Sequence, residues 1–245
     1  MDPAVLREDM IDGLRHESRA VLDSEAVATA MNAVPRHAFF DDERAAYADR
    51  ETERLGTRVL APSTVARLFE ALAVEPDDSV LIVGAGVGYT SAVAAAIVGP
   101  RNVQAVDITR QVVYEARQNL STAGYDSVFV DCRDGAAGLP EYAPYDRILL
   151  EAAAVEPPQA LREQLTPSGQ LVMPLGAHEQ TLAVFEGDEV VAECGPVAFR
   201  PMLVEGEQVG AIERNRMHRE DDERARQAAQ SRTGWEQDWI DWDGS

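Results

Sequence analysis

A chain of 245 residues can bury one sizeable core with at most a modest appendage, and 45% hydrophobic content is that of a globular protein. Asp and Glu total 43 against 22 basic residues, every one of them Arg, giving a net charge of −21 that argues against a nucleic-acid partner, because phosphate binding needs a basic face. No apolar run approaches the ~18 residues of a membrane span, and the acidic start Met1-Asp2-Pro3-Ala4 reverses the charge of a secretory leader, so a cytoplasmic location is expected.

The acid excess costs stability by self-repulsion in dilute salt and is tolerated where counterions screen it within a few ångströms. A soluble acidic enzyme would account for the charge alone. Excess acid together with missing Lys points to a salt-rich cytoplasm. Cys132 and Cys194 are isolated thiols without metal-ligand spacing, expected to be reduced and buried, and no metal site is expected.

Residues 1 to about 40 read as helical. Between Glu17 and Met31, Val21, Leu22, Ala26, Val27, Ala30 and Met31 form a stripe with helical spacing. Val34-Pro35-Arg36-His37 breaks the helix, Phe39 and Phe40 offer an apolar plug, and 41–62 read as polar and irregular. Ser63 or Thr64 can cap a helix whose inner face is Val65, Leu68, Phe69 and Leu72.

From there strands at about 79–83, 102–106, 127–131 and 146–150 alternate with helices at about 89–98 and 110–123, the second stopping at Gly124. Strand and helix in alternation imply right-handed crossovers and a parallel sheet, and runs such as Val80-Leu81-Ile82-Val83 fit strands covered on both faces. A short helix from Pro157 to Leu165 and a turn at Thr166-Pro167-Ser168-Gly169 precede strands at about 170–174, 180–185 and 189–193. Their hairpin-length connections predict an antiparallel edge. Beyond about residue 212 the chain is dense in charge. Trp235, Trp239 and Trp242, spaced four and three apart, share one helical face, which suits either a docked terminal helix or an anchor for a protein partner.

The most informative stretch is Ser79 to Tyr89, in which Val80-Leu81-Ile82-Val83 runs into Gly84-Ala85-Gly86-Val87-Gly88 and then a helix. Glycines let the backbone turn sharply and approach a ligand where a Cβ would collide, and the helix start points free N–H groups into the same space. Asp107 closes the next strand, where a carboxylate can accept from both hydroxyls of a ribose. An adenosine-bearing cofactor at the carboxyl edge of an open sheet is expected. Glycine spacing alone would also permit a nicotinamide-dependent oxidoreductase, but no hydride-transfer acid is evident.

The chain resembles the protein-L-isoaspartate O-methyltransferases from about residue 20 to about residue 205. The resemblance rests on Val34-Pro35-Arg36-His37-Ala38-Phe39, Ala46-Tyr47-Ala48-Asp49, the glycine loop, Ala116-Arg117-Gln118-Asn119-Leu120 and Gly138 to Ile148. It continues through Glu151-Ala152-Ala153-Ala154, Gln164 to Gly176 and Phe199-Arg200-Pro201-Met202-Leu203.

It implies a doubly wound, Rossmann-like α/β methyltransferase sheet, mostly parallel with an antiparallel edge, plus N-terminal helices and a C-terminal helical tail. The expected organisation is an N-terminal helical and substrate-loop region (1–62), a cofactor-binding core (63–212) and an acidic Trp-containing extension (213–245). The implied cofactor is S-adenosyl-L-methionine, contacted by Gly84, Ala85, Gly86, Gly88 and Tyr89, by Asp107 and Ile108 at the ribose, and by Asp134 and Gly135 near the adenine. Asp134 also reads as a turn-capping aspartate. The implied substrate is an isoaspartyl-containing protein or peptide, and the charge then fits a halophilic archaeon.

Two positions depart from the family pattern. The acid usually found two residues before the first glycine, which helps hold the cofactor's ammonium group, is Ile82 here. Loss of a charge-assisted hydrogen bond of roughly 1.5–3 kcal/mol would weaken cofactor binding about tenfold or more. Aligned on Pro62, the family's active-site Ser falls on Leu60 and its Thr on Arg58, leaving Thr57, Ser63 or Thr64 as substitute hydroxyls, each of which also reads as a cap or loop residue. Two readings follow: a carboxyl methyltransferase acting on isoaspartyl residues, or a cofactor-binding pseudoenzyme that recognises peptide ends with little or no catalysis.

Overall fold

The computed structural model describes residues 2–16, 20–43 and 45–203. Helix α1 spans Pro3–Arg15, capped by Asp2, whose Oδ1 accepts from Ala4 N–H at 2.9 Å, and buries Met10, Ile11 and Leu14. Helix α2 spans Glu25–Ala33. The expected stripe from Glu17 therefore starts too early, because Val21 and Leu22 precede the helix. Ser24 fixes the start instead: its Oγ accepts from Val27 N–H at 3.3 Å, while Glu70 Oε1 accepts from Asp23 and Ser24 N–H at 3.1 and 2.8 Å. Val34-Pro35 ends α2 and leads into a 3₁₀ turn, Arg36–Phe39; a second covers Ala45–Tyr47.

The segment expected to be irregular contains a small hairpin, β1 (Thr52–Arg54) and β2 (Thr57–Val59). Leu55 and Gly56 both have positive φ, 52° and 74°, the pattern of a two-residue turn whose twist matches its strands. Helix α3, Pro62–Leu72, buries Val65, Leu68, Phe69 and Leu72 completely, as its periodicity predicts. Neither Ser63 nor Thr64 caps it, because Ala61 is the N-cap and Pro62 fills the first helical position.

The alternating elements follow: β3 (Val80–Val83), α4 (Tyr89–Val98), β4 (Val103–Asp107), α5 (Arg110–Thr122), β5 (Phe129–Cys132) and β6 (Tyr145–Leu150). Then come α6 (Gln159–Arg162), β7 (Leu165–Leu175), β8 (Gln180–Glu186) and β9 (Glu189–Val197). The seven long strands form one sheet in the order β5-β4-β3-β6-β7-β8-β9. Pairs from β5 to β7 are parallel; β7–β8 and β8–β9 are antiparallel. This is the expected Rossmann-like sheet with its antiparallel edge. The predicted turn at 166–169 lies inside β7 as an irregularity: between Tyr145↔Leu165 and Arg147↔Gln170, β7 advances further than β6.

The sheet separates two apolar layers. Val80 and Ile82 point into the larger, shared with the N-terminal helices and α3, α4 and α5; Leu81 and Val83 point into the smaller, with Leu139, Tyr145 and Leu161. All four residues of β3 are buried, which explains its unbroken apolar run. The cysteines differ from expectation: Cys132 ends the edge strand β5 and is exposed, and Cys194 on edge strand β9 is half-buried; both are free thiols. Among the described residues no helix is long and apolar enough to cross a membrane. Trp235, Trp239 and Trp242, with the rest of the predicted 213–245 extension, lie outside the described residues.

Candidate active site

Strand β3 is the topological switch point: β4 lies on one side, β6 on the other, all three parallel, so their carboxyl ends open a crevice at one edge. The Gly84–Gly88 loop fills the step from β3 to α4. Gly84 and Ala85 N–H both donate to Val106 O, at 2.8 and 2.9 Å, and Gly88 N–H donates to Ala85 O at 2.9 Å. These three amides hold the loop in shape, so its offering to a ligand is close approach of the backbone. Gly88 is obligatory: its φ is +94°, and a Cβ there would stand 3.2 Å from Ala116 O and 3.1 Å from Leu120 Cγ on α5.

Asp107, the last residue of β4, is tied to the same loop. Its Oδ2 accepts from Gly86 N–H at 3.2 Å and its Oδ1 from Thr109 N–H at 2.9 Å. Burial pushes its carboxyl above the ordinary range, opposed by the backbone N–H groups of Thr109, Gly86 and Ile108. An ionised carboxylate has about four lone-pair positions, so three backbone donors leave Asp107 acceptor capacity for a ligand hydroxyl. Ile108 joins this residue to α5.

Asp134 follows β5 and caps the 3₁₀ turn Gly135–Ala137, its Oδ1 accepting from Ala136 N–H at 2.8 Å. Gly135 is buried, and a Cβ on it would lie 2.5 Å from Val83 Cγ1. Tyr89 offers backbone only. Its ring is buried beneath the Arg36 guanidinium, 4.3 Å from the centroid, and edge-on to Phe39 at 5.6 Å.

The substitute hydroxyls separate clearly. A Cβ on Gly86 would lie 3.8 Å from Thr57 Oγ1, so β2 brings this hydroxyl to the glycine loop. Ser63 lies in the first turn of α3, its backbone N–H donating to Asp49 Oδ1 at 2.9 Å, and no contact brings it to the glycine loop among those of the described residues. Asp49 lines a crevice of about 650 Å³, with Asp9, Asp12 and His16, whose lining includes none of the glycine-loop residues. Leu60 is 6% exposed and packs in the larger apolar layer. Ile82 is fully buried there too.

Three features escaped the sequence reading. The β1–β2 hairpin is anchored from both sides. Arg54 pairs with Glu115 on α5 at 2.5 Å and with Asp41 at 3.0 Å. Arg58 donates to Ala198 O at 3.0 Å, and Arg200 binds Gly56 O and Glu53. Arg36 is fully buried, donating through Nε to Ala46 O at 2.7 Å and through Nη2 to Leu60 O, so it holds the segment that carries the hairpin.

The third is Glu151, immediately after β6. As a residue it is half-buried, but its Oε1 is closed to solvent and has no hydrogen-bond partner. Burial pushes its carboxyl up to about 8, with the Thr90 hydroxyl opposing and the Asp107 charge reinforcing the shift. An acid directly after the apolar run Ile148-Leu149-Leu150 was the available signal.

Comparison with known proteins identifies the chain's relatives. The family described as protein-L-isoaspartate(D-aspartate) O-methyltransferase matches residues 6–207. A protein-L-isoaspartate O-methyltransferase of Methanosarcina mazei is 38% identical over 206 residues, 81% of this chain and 83% of the relative. One from Roseiflexus is 40% identical over 211 residues, 83% and 94% of the two chains. A solved protein-L-isoaspartate O-methyltransferase superposes with a TM-score of 0.72 at 26% identity, covering 86% of this chain and 69% of its own. A Plasmodium falciparum structure assigned to that enzyme class, solved with S-adenosyl-L-homocysteine, gives 0.72 at 19% identity over 80% of this chain and 98% of its own, which speaks for the fold alone. The chain belongs to the protein-L-isoaspartate(D-aspartate) O-methyltransferase family.

Proposed function

We propose that this protein is an S-adenosylmethionine-dependent carboxyl methyltransferase that esterifies the free carboxylate of isoaspartyl residues. The observation that carries the reading is Asp107, held against the glycine loop by Gly86 with acceptor capacity left for a ligand hydroxyl, in a chain of this family. The residues fit the cofactor: a carboxylate for a ribose diol, a backbone loop that permits close approach, and an enclosed carboxyl oxygen at the loop awaiting a partner.

When bound, S-adenosylmethionine supplies an electrophilic methyl group that an oxygen nucleophile accepts by in-line displacement. An isoaspartyl carboxylate is ionised near neutral pH, so the chain need not furnish a strong base. What its residues supply is alignment. Asp107 would hold the ribose, the 84–88 backbone would support the chain leading from it, and Asp134 with Gly135 would border the adenine. Thr57 Oγ1, next to Gly86, donates to the acceptor carboxylate and holds one oxygen in line. The resulting ester invites attack by the next backbone nitrogen, since methoxide leaves more readily than hydroxide, and the succinimide so formed reopens in water to give aspartate in part.

We assign the working environment to a salt-rich cytoplasm of a halophilic archaeon, on the strength of a −21 charge carried without Lys. Three tryptophans at helical spacing make the 213–245 extension a candidate anchor for a protein partner. A second reading, a cofactor-binding protein with little catalysis, has one observation in its favour: the position expected for the active-site Ser is the buried Leu60.

The deciding experiment incubates the protein with methyl-labelled S-adenosylmethionine and an isoaspartyl peptide in high salt. Base-labile methyl ester on this peptide, and none on its normal aspartyl counterpart, is expected. Tight cofactor binding without ester would leave the second reading standing.

A further inference from the structure

We infer that Glu151 is the counter-ion for the cofactor's α-ammonium group, closing the amino-acid end of the site from the strand opposite Asp107. The inference deepens the proposed function and rests on its cofactor reading.

The sheet register brings the two acids to the same level. Val83 pairs with Val106 on β4 and with Leu150 on β6, so Asp107 and Glu151, one residue further along each, flank Gly84 from either side. Strands lie about 4.8 Å apart, which separates their backbones by roughly 9–10 Å across the loop. Glu151 N–H donates to Val83 O at 2.8 Å, fixing the residue at the strand end, and a Cβ on Gly84 would lie 3.3 Å from Glu151 Cβ. The side chain therefore packs on the first glycine of the loop.

An enclosed carboxyl oxygen without a donor is a costly arrangement that a ligand can relieve. The groups acting on Glu151 are the Thr90 hydroxyl on α4 and the Asp107 carboxylate on β4, neither of which brings positive charge. Strand β3 brings only Val80, Leu81, Ile82 and Val83, all buried in the two apolar layers. What this corner calls for is a cation that also donates hydrogen bonds. An ammonium group meets both needs, whereas a sulfonium donates none. With the ribose held at Asp107, the amino-acid end of the same molecule is the part that extends past Gly84.

Binding then carries a proton signature. Near pH 7 a carboxyl at about 8 is roughly nine-tenths protonated, and pairing with an ammonium drives it to ionise and release the proton to solvent. S-adenosylhomocysteine is the probe because it keeps the ammonium and lacks the sulfonium. Calorimetry of its binding at pH 7 in high salt, repeated in buffers of different ionisation enthalpy, reads affinity and proton release together.

Wild type is expected to release close to one proton. Glu151→Gln is expected to release none and to bind about tenfold to a hundredfold more weakly. Should that variant misfold, the wild type with the deamino analogue of S-adenosylhomocysteine gives the same answer, with binding weakened to a similar extent and no proton released. Equal affinity and equal proton release for the two ligands would overturn the Glu151 assignment while leaving the cofactor reading intact. Failure of wild type to bind S-adenosylhomocysteine at all would overturn both.

Discussion

Gly86 N–H donates to Asp107 Oδ2 at 3.2 Å, so the acid at the end of β4 shapes the loop that it would share with a ligand. Asp107→Ala should therefore weaken S-adenosylhomocysteine binding by both routes, through lost acceptors for the ribose and a slackened loop. The expected loss is about tenfold to a hundredfold in affinity, from hydrogen bonds of roughly 1.5–3 kcal/mol each to a charged group. Asp107→Asn, which keeps one acceptor, should lose less. Unchanged affinity for the Ala variant would show that the diol lies elsewhere.

Thr57 and Ser63 were equivalent candidates in the sequence and are not equivalent in the fold. Thr57 Oγ1 borders Gly86, while Ser63 sits at the start of α3 with its backbone N–H on Asp49. Thr57→Val, near in volume, should lower the rate of methyl-ester formation at least tenfold with S-adenosylhomocysteine affinity little changed. Ser63→Ala should stay within about twofold in both. Leu60→Ser should not restore a missing function. It places a hydroxyl in the apolar layer and removes buried carbon, at a cost of about 2–4 kcal/mol in thermal or denaturant unfolding. A faster Leu60→Ser enzyme would argue that the loop opens and presents this position.

What could be read in advance was whatever depends on neighbours along the chain. The Val80–Val83 run, the glycines and Asp107 announce a strand, a turn and a clasp because two-sided burial and close approach leave residue-type signatures within a short window. Glu151 was visible only as an acid after a strand; its place beside Gly84 follows from the parallel pairing of β3 with β6, which joins residues far apart in sequence. The β1–β2 hairpin left no trace because strands of three residues carry no period, and Leu55, with φ +52°, is an unusual turn residue. The early start given to α2 failed for a different reason. Its cap is completed by Glu70, a residue on another helix.

Arg36 explains why Val34-Pro35-Arg36-His37 is more than a helix break. Its guanidinium is buried, bridges Ala46 O and Leu60 O, and covers the Tyr89 ring. Arg36→Ala would strand both carbonyls at about 1–3 kcal/mol each, so a loss of roughly 2–6 kcal/mol is expected in denaturant unfolding. Arg36→Lys should recover little, because a compact ammonium cannot reproduce the planar fork. A small effect of Arg36→Ala would mean that the 35–61 segment holds its place without it.

Glu151 should also leave a mark on stability, in the direction opposite to an ion-paired acid. Its folded carboxyl titrates near 8 and its ordinary value is 4.5, so between these limits the folded chain keeps a proton that the unfolded chain has lost. Stability from this group is therefore present below pH about 4.5 and declines as pH rises towards 8. Subtracting the melting profile of Glu151→Gln from that of wild type, both without cofactor and at constant high salt, isolates the effect from the other acids. The difference should fall across this window, and the Gln variant should be the more stable of the two at pH 8. Saturating S-adenosylhomocysteine should flatten the difference, because the ammonium compensates the ionised carboxylate. Parallel wild-type and Gln profiles from pH 5 to 9 would mean that the carboxyl is hydrated and not enclosed against Gly84.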